Sequence, residues 1–598
     1  MPQKKPTARP TDVVLRIVGE SGEGTVTLGD VLVELFTGLG LDIYTFQTFP
    51  AEIKGGTVMY QLRTKSGVTL SPGDVSDVLV ALNNQGFGLF GDNLRSGGIL
   101  LYNSDAFSPP VDPTRTDYAL PITTLARAEK DKVRHEVSGE QLKRLPAPVN
   151  TVGLGALLRL VNAPLEPAEE YLGRVFARKG EAIVRMNISA LHTGATCVAE
   201  QIGDRETPHV GSRPDHRDRI MVTGNQMLCM GAIAAGLKFF GGYPITPASE
   251  IMEFLAKELP AFGGNVIQAE DEIAALGMCL GASFGGVPSM TATSGPGLSL
   301  MVEQINLAGQ AEIPVVIVDV QRGGASTGLP TKTSQGDLNL AVYGVHNESP
   351  RIVLAASSVG DVFWTTVEAI NLAETYQCPV ILLSEQALAT RRSTVPPPMI
   401  ERVTVKERLK PAEADLGPEF KRYLDTSSGV SPMAIPGTPG GMYTTTGIEH
   451  NEFGDPTYTP DTATKARNKR FRKMDTLLVE RGHEFVRTWG DAGKVELGVI
   501  AFGATEGVVR EATERLRYAG HLVAHLHLRL IRPLPVAPIN EFAVRCKRLL
   551  VVELNYSGQL AGWLRVNTDM TFETFHRDDG RPFSSHDIED EMLRILSD

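Results

Sequence analysis

Short apolar runs alternate with stretches of helical apolar spacing along most of the chain, and that alternation restricts it to an α/β fold. The first run, residues 13–18, ends in a glycine-rich turn from Gly19 to Gly24. Leu28, Val31, Leu32, Leu35 and Phe36 then fall on one helical face. Strand, tight turn and helix open an α/β unit. Further strand-like runs at 57–62, 77–81 and 98–102 complete a first domain, 12–200. Residues 201–218, crowded with charges, glycine and proline, read as a linker. A second domain, 219–400, carries runs at 266–268, 289–293, 314–320, 351–355 and 379–383, with helical patterns between most of them, the order of a parallel βαβ sheet. Residues 401–475 lose periodicity and are punctuated by Pro-Gly turns, so they read as an irregular connecting segment. A third α/β series, 476–598, has strands at 497–502, 522–528 and 548–552 and a helix at 506–518.

Composition removes several functions. A net charge of −12 and a pI near 5.6 argue against a nucleic-acid binder. No apolar run is long enough to span a bilayer, and the basic, proline-containing start lacks the apolar segment of a secretory signal. A cytoplasmic protein without membrane contact is expected. Cys197, Cys229, Cys279, Cys378 and Cys546 lie far apart, which is neither a disulfide framework nor an iron–sulfur or zinc ligand run. They read as small buried hydrophobes, and no metal site is expected on this chain.

The most informative segment is Gly242-Tyr243-Pro244-Ile245-Thr246-Pro247-Ala248-Ser249-Glu250, followed by Ile251, Phe254, Leu255 and Leu259 on one helical face. Thr246 suits an N-cap and Pro247 the first helical position. The free amides of such a start attract a carboxylate, although local rules do not separate that role from a plain helix start.

Tyr-Pro-Ile-Thr-Pro resembles the substrate-binding motif of the 2-oxoacid:ferredoxin oxidoreductases, and four further segments fit that family in order. They are Pro50 to Gly56, Glu270-Asp271-Glu272 leading into Ile273 to Gly277, Thr293-Ser294-Gly295-Pro296-Gly297, and Arg322 to Thr331 with Gln335-Gly336-Asp337 behind it. Val552 to Asn555 and Gly558-Gln559-Leu560 also fit. The resemblance is to an alpha subunit with a fused gamma domain, most like the 2-oxoglutarate enzymes. It implies a gamma-type α/β domain related to coenzyme A, a thiamine pyrimidine-binding doubly wound parallel-sheet domain, and a transketolase-C-like α/β domain. It also implies roles. Glu272, with Glu270 as fallback, would hydrogen-bond the aminopyrimidine of thiamine diphosphate and favour the imino tautomer that deprotonates the thiazolium. Tyr243, Pro244, Ile245 and Gly295 would line the coenzyme. Thr246 and Arg322 would hold the 2-oxoacid, the guanidinium pairing with its carboxylate. Thr331 and Lys54 would lie near its far end, and a lysine there favours 2-oxoglutarate over pyruvate, branched-chain or indolepyruvate substrates.

Absences complete this reading. Enzymes that hold the diphosphate themselves typically carry Gly-Asp-Gly, and none occurs here. Half a site is therefore expected. A beta subunit would bring the diphosphate clamp, Mg and a [4Fe–4S] cluster, in an (αβ)2 assembly that passes electrons to ferredoxin. The rival is a non-catalytic scaffold subunit binding coenzyme A or a nucleotide at the Gly19–Gly24 turn. Gly22-Glu23-Gly24 with Asp42 imitates a dinucleotide fingerprint, but Thr27 occupies the third glycine position and Glu20 and Glu23 bring negative charge to the phosphate site. His450 reads as an incidental loop histidine. The cluster Lys465, Arg467, Lys469, Arg470, Arg472 and Lys473 reads as a solvated helix face.

Overall fold

The structure, a computed structural model, describes residues 11–597 except 50–55, 204, 214–215 and 217, and not the side chains of 141 and 142. Two units divide the chain: Met1–Met221 with Arg391–Pro397, and Val222–Thr390 with Pro398–Asp598.

The first unit is built on a mixed sheet of β1 (Asp12–Glu20), β2 (Asp42–Thr48), β3 (Thr57–Lys65), β4 (Ser76–Ala81), β5 (Leu94–Asn103) and β6 (Thr116–Leu120). β7 (Ile220–Thr223) and the returning strand Arg392–Val395 extend its edge. β1 runs parallel to β4 and antiparallel to β3. Its apolar residues meet the helix Thr25–Gly38, whose Leu28, Leu32 and Phe36 are buried in one core. Helices Val149–Leu160 and Glu181–Ile202 close that core, and Gly155 lies so near the Leu191 carbonyl that a Cβ would stand 1.8 Å from it.

In the second unit, β8 (Phe239–Gly242), β9 (Asn265–Gln268), β10 (Ser289–Thr293), β11 (Val315–Gln321), β12 (Ile352–Ala355) and β13 (Pro379–Glu385) form one sheet. Its order is β12-β13-β11-β10-β8-β9, with every neighbouring pair in this set parallel. Both faces are covered by helices, which is why β11 and β13 read as largely apolar runs. A second sheet carries Val495–Phe502, Val523–Leu528 and Cys546–Glu553 as parallel strands. The fold is thus mixed α/β with parallel sheets, as the apolar pattern predicts. Among the described residues, no helix is long and apolar enough to cross a membrane.

The basic cluster differs from its reading. Residues 401–459 are largely irregular, but a 22-residue helix, Pro460–Arg481, follows. Lys469, Arg470 and Lys473 on it are buried, not solvated. Lys469 Nζ lies 2.6 and 2.7 Å from the two carboxylate oxygens of Glu312, Lys473 pairs with the same carboxylate, and Arg422 donates to the Glu312 carbonyl at 2.8 Å. Lys473 also donates to the carbonyl of Gln377. Glu312 and Gln377 are the left-handed C-caps of helices Gly295–Ala311 and Val359–Tyr376. Two negative helix ends therefore converge on one cationic cluster. Burial alone would raise the pKa of Glu312, but the three cations overcome it and hold the group well below the usual carboxylate range. Sequence could not reveal this, because the partner carboxylate lies 157 residues from Lys469.

Candidate active site

Ligands of open parallel sheets sit beyond the carboxyl ends of the strands. β8 runs out into Tyr243 to Thr246, β9 into Glu270 to Glu272, β10 into Ser294 to Gly297 and β11 into Arg322. These strands are neighbours in the order β11-β10-β8-β9. Segments that are scattered in sequence therefore meet along one sheet edge.

The acidic triplet divides into distinct positions. Glu270 is exposed. Asp271 caps the helix Glu272–Phe284, its carboxylate accepting from the Ala274 amide at 2.7 Å. Glu272 is 6% exposed and folds over the start of the next helix. A Cβ at Gly297 would stand 2.6 Å from both Cγ and Oε1 of Glu272 and 2.1 Å from Thr293 Oγ1. Gly297 is thus the cradle for that carboxyl. Beside it, Gly295 is buried against Asp337, whose oxygens would both lie 2.7 Å from a Cβ there. The Ser294 hydroxyl is buried without a partner among the described residues.

The reading of Thr246 as an N-cap is corrected. The helix begins later, over Ser249–Glu258, with Ala248 as its cap and no side-chain bond. Thr246–Pro247 is a cis peptide within the turn, and Ser249 N bonds to the Ile245 carbonyl at 3.0 Å. The Thr246 carbonyl is used differently, accepting from Arg322 Nη1 at 2.7 Å, while Nη2 of the same guanidinium reaches the Thr327 carbonyl at 3.0 Å. Arg322 thereby ties the turn after β8 to its own loop. Tyr243, Pro244 and Thr246 are exposed on this edge, and Ile245 is half-buried.

The loop from Arg322 to Thr331 is closed by a bridge between Gly323 and Leu329, and Thr331 is half-buried beyond it. Gly328, at φ +55°, approaches the carbonyls of Gly323 and Gly324 at distances no Cβ tolerates. Behind the loop, Gln335 Nε2 donates to Glu385 Oε1 at 3.0 Å and to the Phe502 carbonyl at 2.9 Å, and its Oε1 accepts from Leu554 N. Glu553 accepts from Asn555 Nδ2, Leu560 N and Ala561 N, and Gln559 Nε2 donates to the Gly336 carbonyl. The segments 552–555 and 558–560 therefore brace the Arg322 loop from behind.

Lys54 and most of the Pro50 to Gly56 segment lie outside the described residues. Two acids at the edge, the buried Asp319 and the half-buried Asp337, were given no role from sequence. The signal was present, since Asp319 interrupts the apolar strand 314–320. In the first unit, Glu23 Oε2 accepts from Glu20 N and Asn83 Nδ2, both at 2.6 Å. Asp42 pairs with Arg219 and accepts from Thr69 N. Both acids of the imitated fingerprint are thus engaged internally. A cavity of about 570 Å3 beside that turn is lined by Thr27, Val31, Asn150, Tyr171 and Asn187 among others. Among the described residues, no group of three or more His, Cys, Asp or Glu side chains gathers as metal ligands do.

Three family models match. Pyruvate flavodoxin/ferredoxin oxidoreductase, thiamine diphosphate-binding, covers 230–469; pyruvate ferredoxin/flavodoxin oxidoreductase covers 14–197; pyruvate:ferredoxin oxidoreductase core domain II covers 495–588. The 2-oxoglutarate oxidoreductase subunit KorA of Mycobacterium tuberculosis is 35% identical over 93% of this chain and 87% of its own. The 2-oxoglutarate synthase subunit KorA of Methanothermobacter marburgensis is 38% identical over 59% of this chain and 92% of its own. Among solved structures, the 2-oxoglutarate:ferredoxin oxidoreductase of Magnetococcus marinus, with 2-oxoglutarate, coenzyme A and succinyl-CoA bound, superposes with a TM-score of 0.92 at 38% identity, covering 98% of this chain and 100% of that one.

Proposed function

The chain belongs to the alpha subunits of the 2-oxoacid:ferredoxin oxidoreductases, and on that premise we propose that it takes 2-oxoglutarate and coenzyme A, giving succinyl-CoA and CO2 with two electrons passed singly to ferredoxin. The observation that carries this reading is Glu272. It is a buried carboxyl cradled on Gly297 at the centre of an edge whose neighbouring loops bear Thr246, Gly295 and Arg322.

The residues fit thiamine diphosphate at its pyrimidine end. Gly295 and Gly297 leave a surface where any side chain would collide, and the Ser294 hydroxyl is unengaged among the described residues. When bound, the coenzyme supplies the electron sink that lets the carboxylate of a 2-oxoacid leave as CO2. Glu272 holds and exchanges a proton at the pyrimidine ring nitrogen. Tyr243, Pro244 and Ile245 would wall the ring. Arg322 orients the substrate carboxylate with the guanidinium edge not spent on the Thr246 and Thr327 carbonyls, and the Thr246 hydroxyl adds a directional contact. On the same premise Thr331 and Lys54 would serve the far carboxylate. The names of the relatives support 2-oxoglutarate over pyruvate, branched-chain and indolepyruvate substrates.

The other half of the site, with the diphosphate clamp, Mg and a [4Fe–4S] cluster, belongs to a beta subunit, in a cytoplasmic (αβ)2 assembly. The helix Glu272–Phe284 supports this. It carries no charge after Glu272, it exposes Ile273 and Met278, and Gly277 and Gly281 on it allow close approach. An uncharged face of that kind beside the site suits a permanent partner. The test is co-expression with the beta subunit and steady-state rates against a panel of 2-oxoacids. A dominant kcat/KM for 2-oxoglutarate, lost in Glu272→Gln with coenzyme A binding retained, supports the reading. Turnover unaffected by Glu272→Gln supports the scaffold alternative.

A further inference from the structure

Two consecutive carbonyls of the turn after β8 are held by two different side chains. That of Thr246 accepts from Arg322. That of Pro247 accepts from Asn225 Nδ2 at 3.1 Å, and the same nitrogen lies 3.2 Å from Glu250 Oε2. Asn225 sits in the first turn of the helix Gly224–Ala234 and is 2% exposed. Its amide has one workable orientation, because a flipped group would set an oxygen against two acceptors.

The helix that carries Asn225 is itself pinned. Thr223 and Gln226 close a capping box at its start. A Cβ at Gly224 would stand 2.2 Å from the Leu388 carbonyl, so the helix start rests directly on the backbone after β13. One turn beyond Asn225, Cys229 Sγ lies 3.6 Å from the Ile251 carbonyl, so the same helix face runs along the helix that follows the turn. Packing alone does not call for an amide at 225. Its Oδ1 is buried with no partner among the described residues, an unfavourable placement that an apolar side chain would avoid. What the amide supplies is a pair of hydrogens, and its two acceptors are the turn and the first residues of the helix behind it.

We propose that Asn225 is a positioning residue for the 2-oxoacid: it holds the Pro247 carbonyl while Arg322 holds that of Thr246, and so fixes the backbone that presents the Thr246 hydroxyl. This rests on the site reading above, in which Thr246 and Arg322 bind the substrate. Asn225 acts through the turn, not on the substrate. Without its donor the Pro247 carbonyl and the Glu250 carboxylate lose a partner, the turn loosens, and Arg322 Nη1 loses a fixed acceptor. The loss falls on substrate binding and appears in KM more than in kcat.

The experiment compares Asn225→Ala, Asn225→Asp and Thr246→Ala in the complex with the beta subunit. Steady-state kinetics give KM and kcat for 2-oxoglutarate. Hydrogen–deuterium exchange followed by mass spectrometry reads the mobility of residues 243–251 independently of turnover. Asn225→Ala is expected to raise KM by about tenfold or more, with kcat less affected. Exchange across 243–251, where Ser249 N is bonded to the Ile245 carbonyl, becomes faster. Asn225→Asp keeps the shape but sets an ionised acceptor where the donor stood, so its KM rises at least as much; a residue that merely filled space would tolerate that change. Wild-type KM in both Asn225 variants while Thr246→Ala raises it, or unchanged exchange across 243–251 in Asn225→Ala, overturns the proposal. Wild-type KM in Thr246→Ala as well sinks the site reading itself.

Discussion

Replacing Gly297 with alanine tests the geometry of Glu272 without touching its chemistry. The added Cβ would stand 2.6 Å from Glu272 Cγ and Oε1 and 2.1 Å from Thr293 Oγ1, whereas ordinary contact begins near 3.4 Å. The carboxyl must therefore withdraw by about 0.8 Å, or the helix start must shift. Overpacking of this kind costs about 1–3 kcal/mol. Such a loss lowers Tm by about 2–4 °C per kcal/mol in a domain of 150–250 residues and by less in a larger one. The catalytic effect is larger, because misplacing a reacting group by about 1 Å costs on the order of a hundredfold in rate. The assay is kcat of the reconstituted complex together with its melting temperature. Gly562→Ala is the control, since that helical glycine has nothing within 4 Å of the new methyl. Gly297→Ala is expected to lose about a hundredfold in kcat while remaining folded. Wild-type kcat with an unchanged Tm would refute the claim that Glu272 is cradled on Gly297.

Arg322→Lys loses the fork that joins the Thr246 and Thr327 carbonyls; KM for the 2-oxoacid is expected to rise at least tenfold, read by steady-state kinetics. Glu312→Gln leaves Lys469, Lys473 and Arg422 buried around a neutral group and should cost about 3–5 kcal/mol in urea titrations, whereas Lys469→Met, which leaves Lys473 and Arg422 to balance the carboxylate, should cost clearly less. Lys469 is lowered to about 7 by burial, with Glu312 opposing; between pH 7 and 10 the unfolded chain holds a proton the folded lysine lacks, so this group makes stability rise with pH in that window. Met278→Lys places a charge on the uncharged face of the Glu272 helix and should abolish co-purification with the beta subunit while leaving the circular dichroism of the chain intact.

What the sequence revealed follows from burial. β11 and β13 are covered on both faces, so their residues form largely apolar runs, interrupted in β11 by Asp319, that are visible without any partner. β8, only four residues with two glycines, gave no such signal, although it aims Tyr243 and Thr246. β2, Asp42–Thr48, was missed because Thr45, Gln47 and Thr48 leave it without an apolar run. The basic helix hid its character because a buried lysine reads as solvated until its distant carboxylate is known. At the site, motif order singled out Glu272 and Arg322, the residues proposed here for the coenzyme and the substrate. The turn at Thr246 misled, because Thr-Pro followed by helical spacing also describes a helix start.

The most direct test of the account is the rate of hydrogen–deuterium exchange at the thiazolium C2 of thiamine diphosphate bound to the complex, followed by proton NMR after acid quench. With Glu272 at the pyrimidine ring nitrogen, Glu272→Gln slows that exchange by about a hundred- to ten-thousandfold while the coenzyme stays bound. Exchange as fast as in the wild type would contradict the assignment of coenzyme activation to this chain.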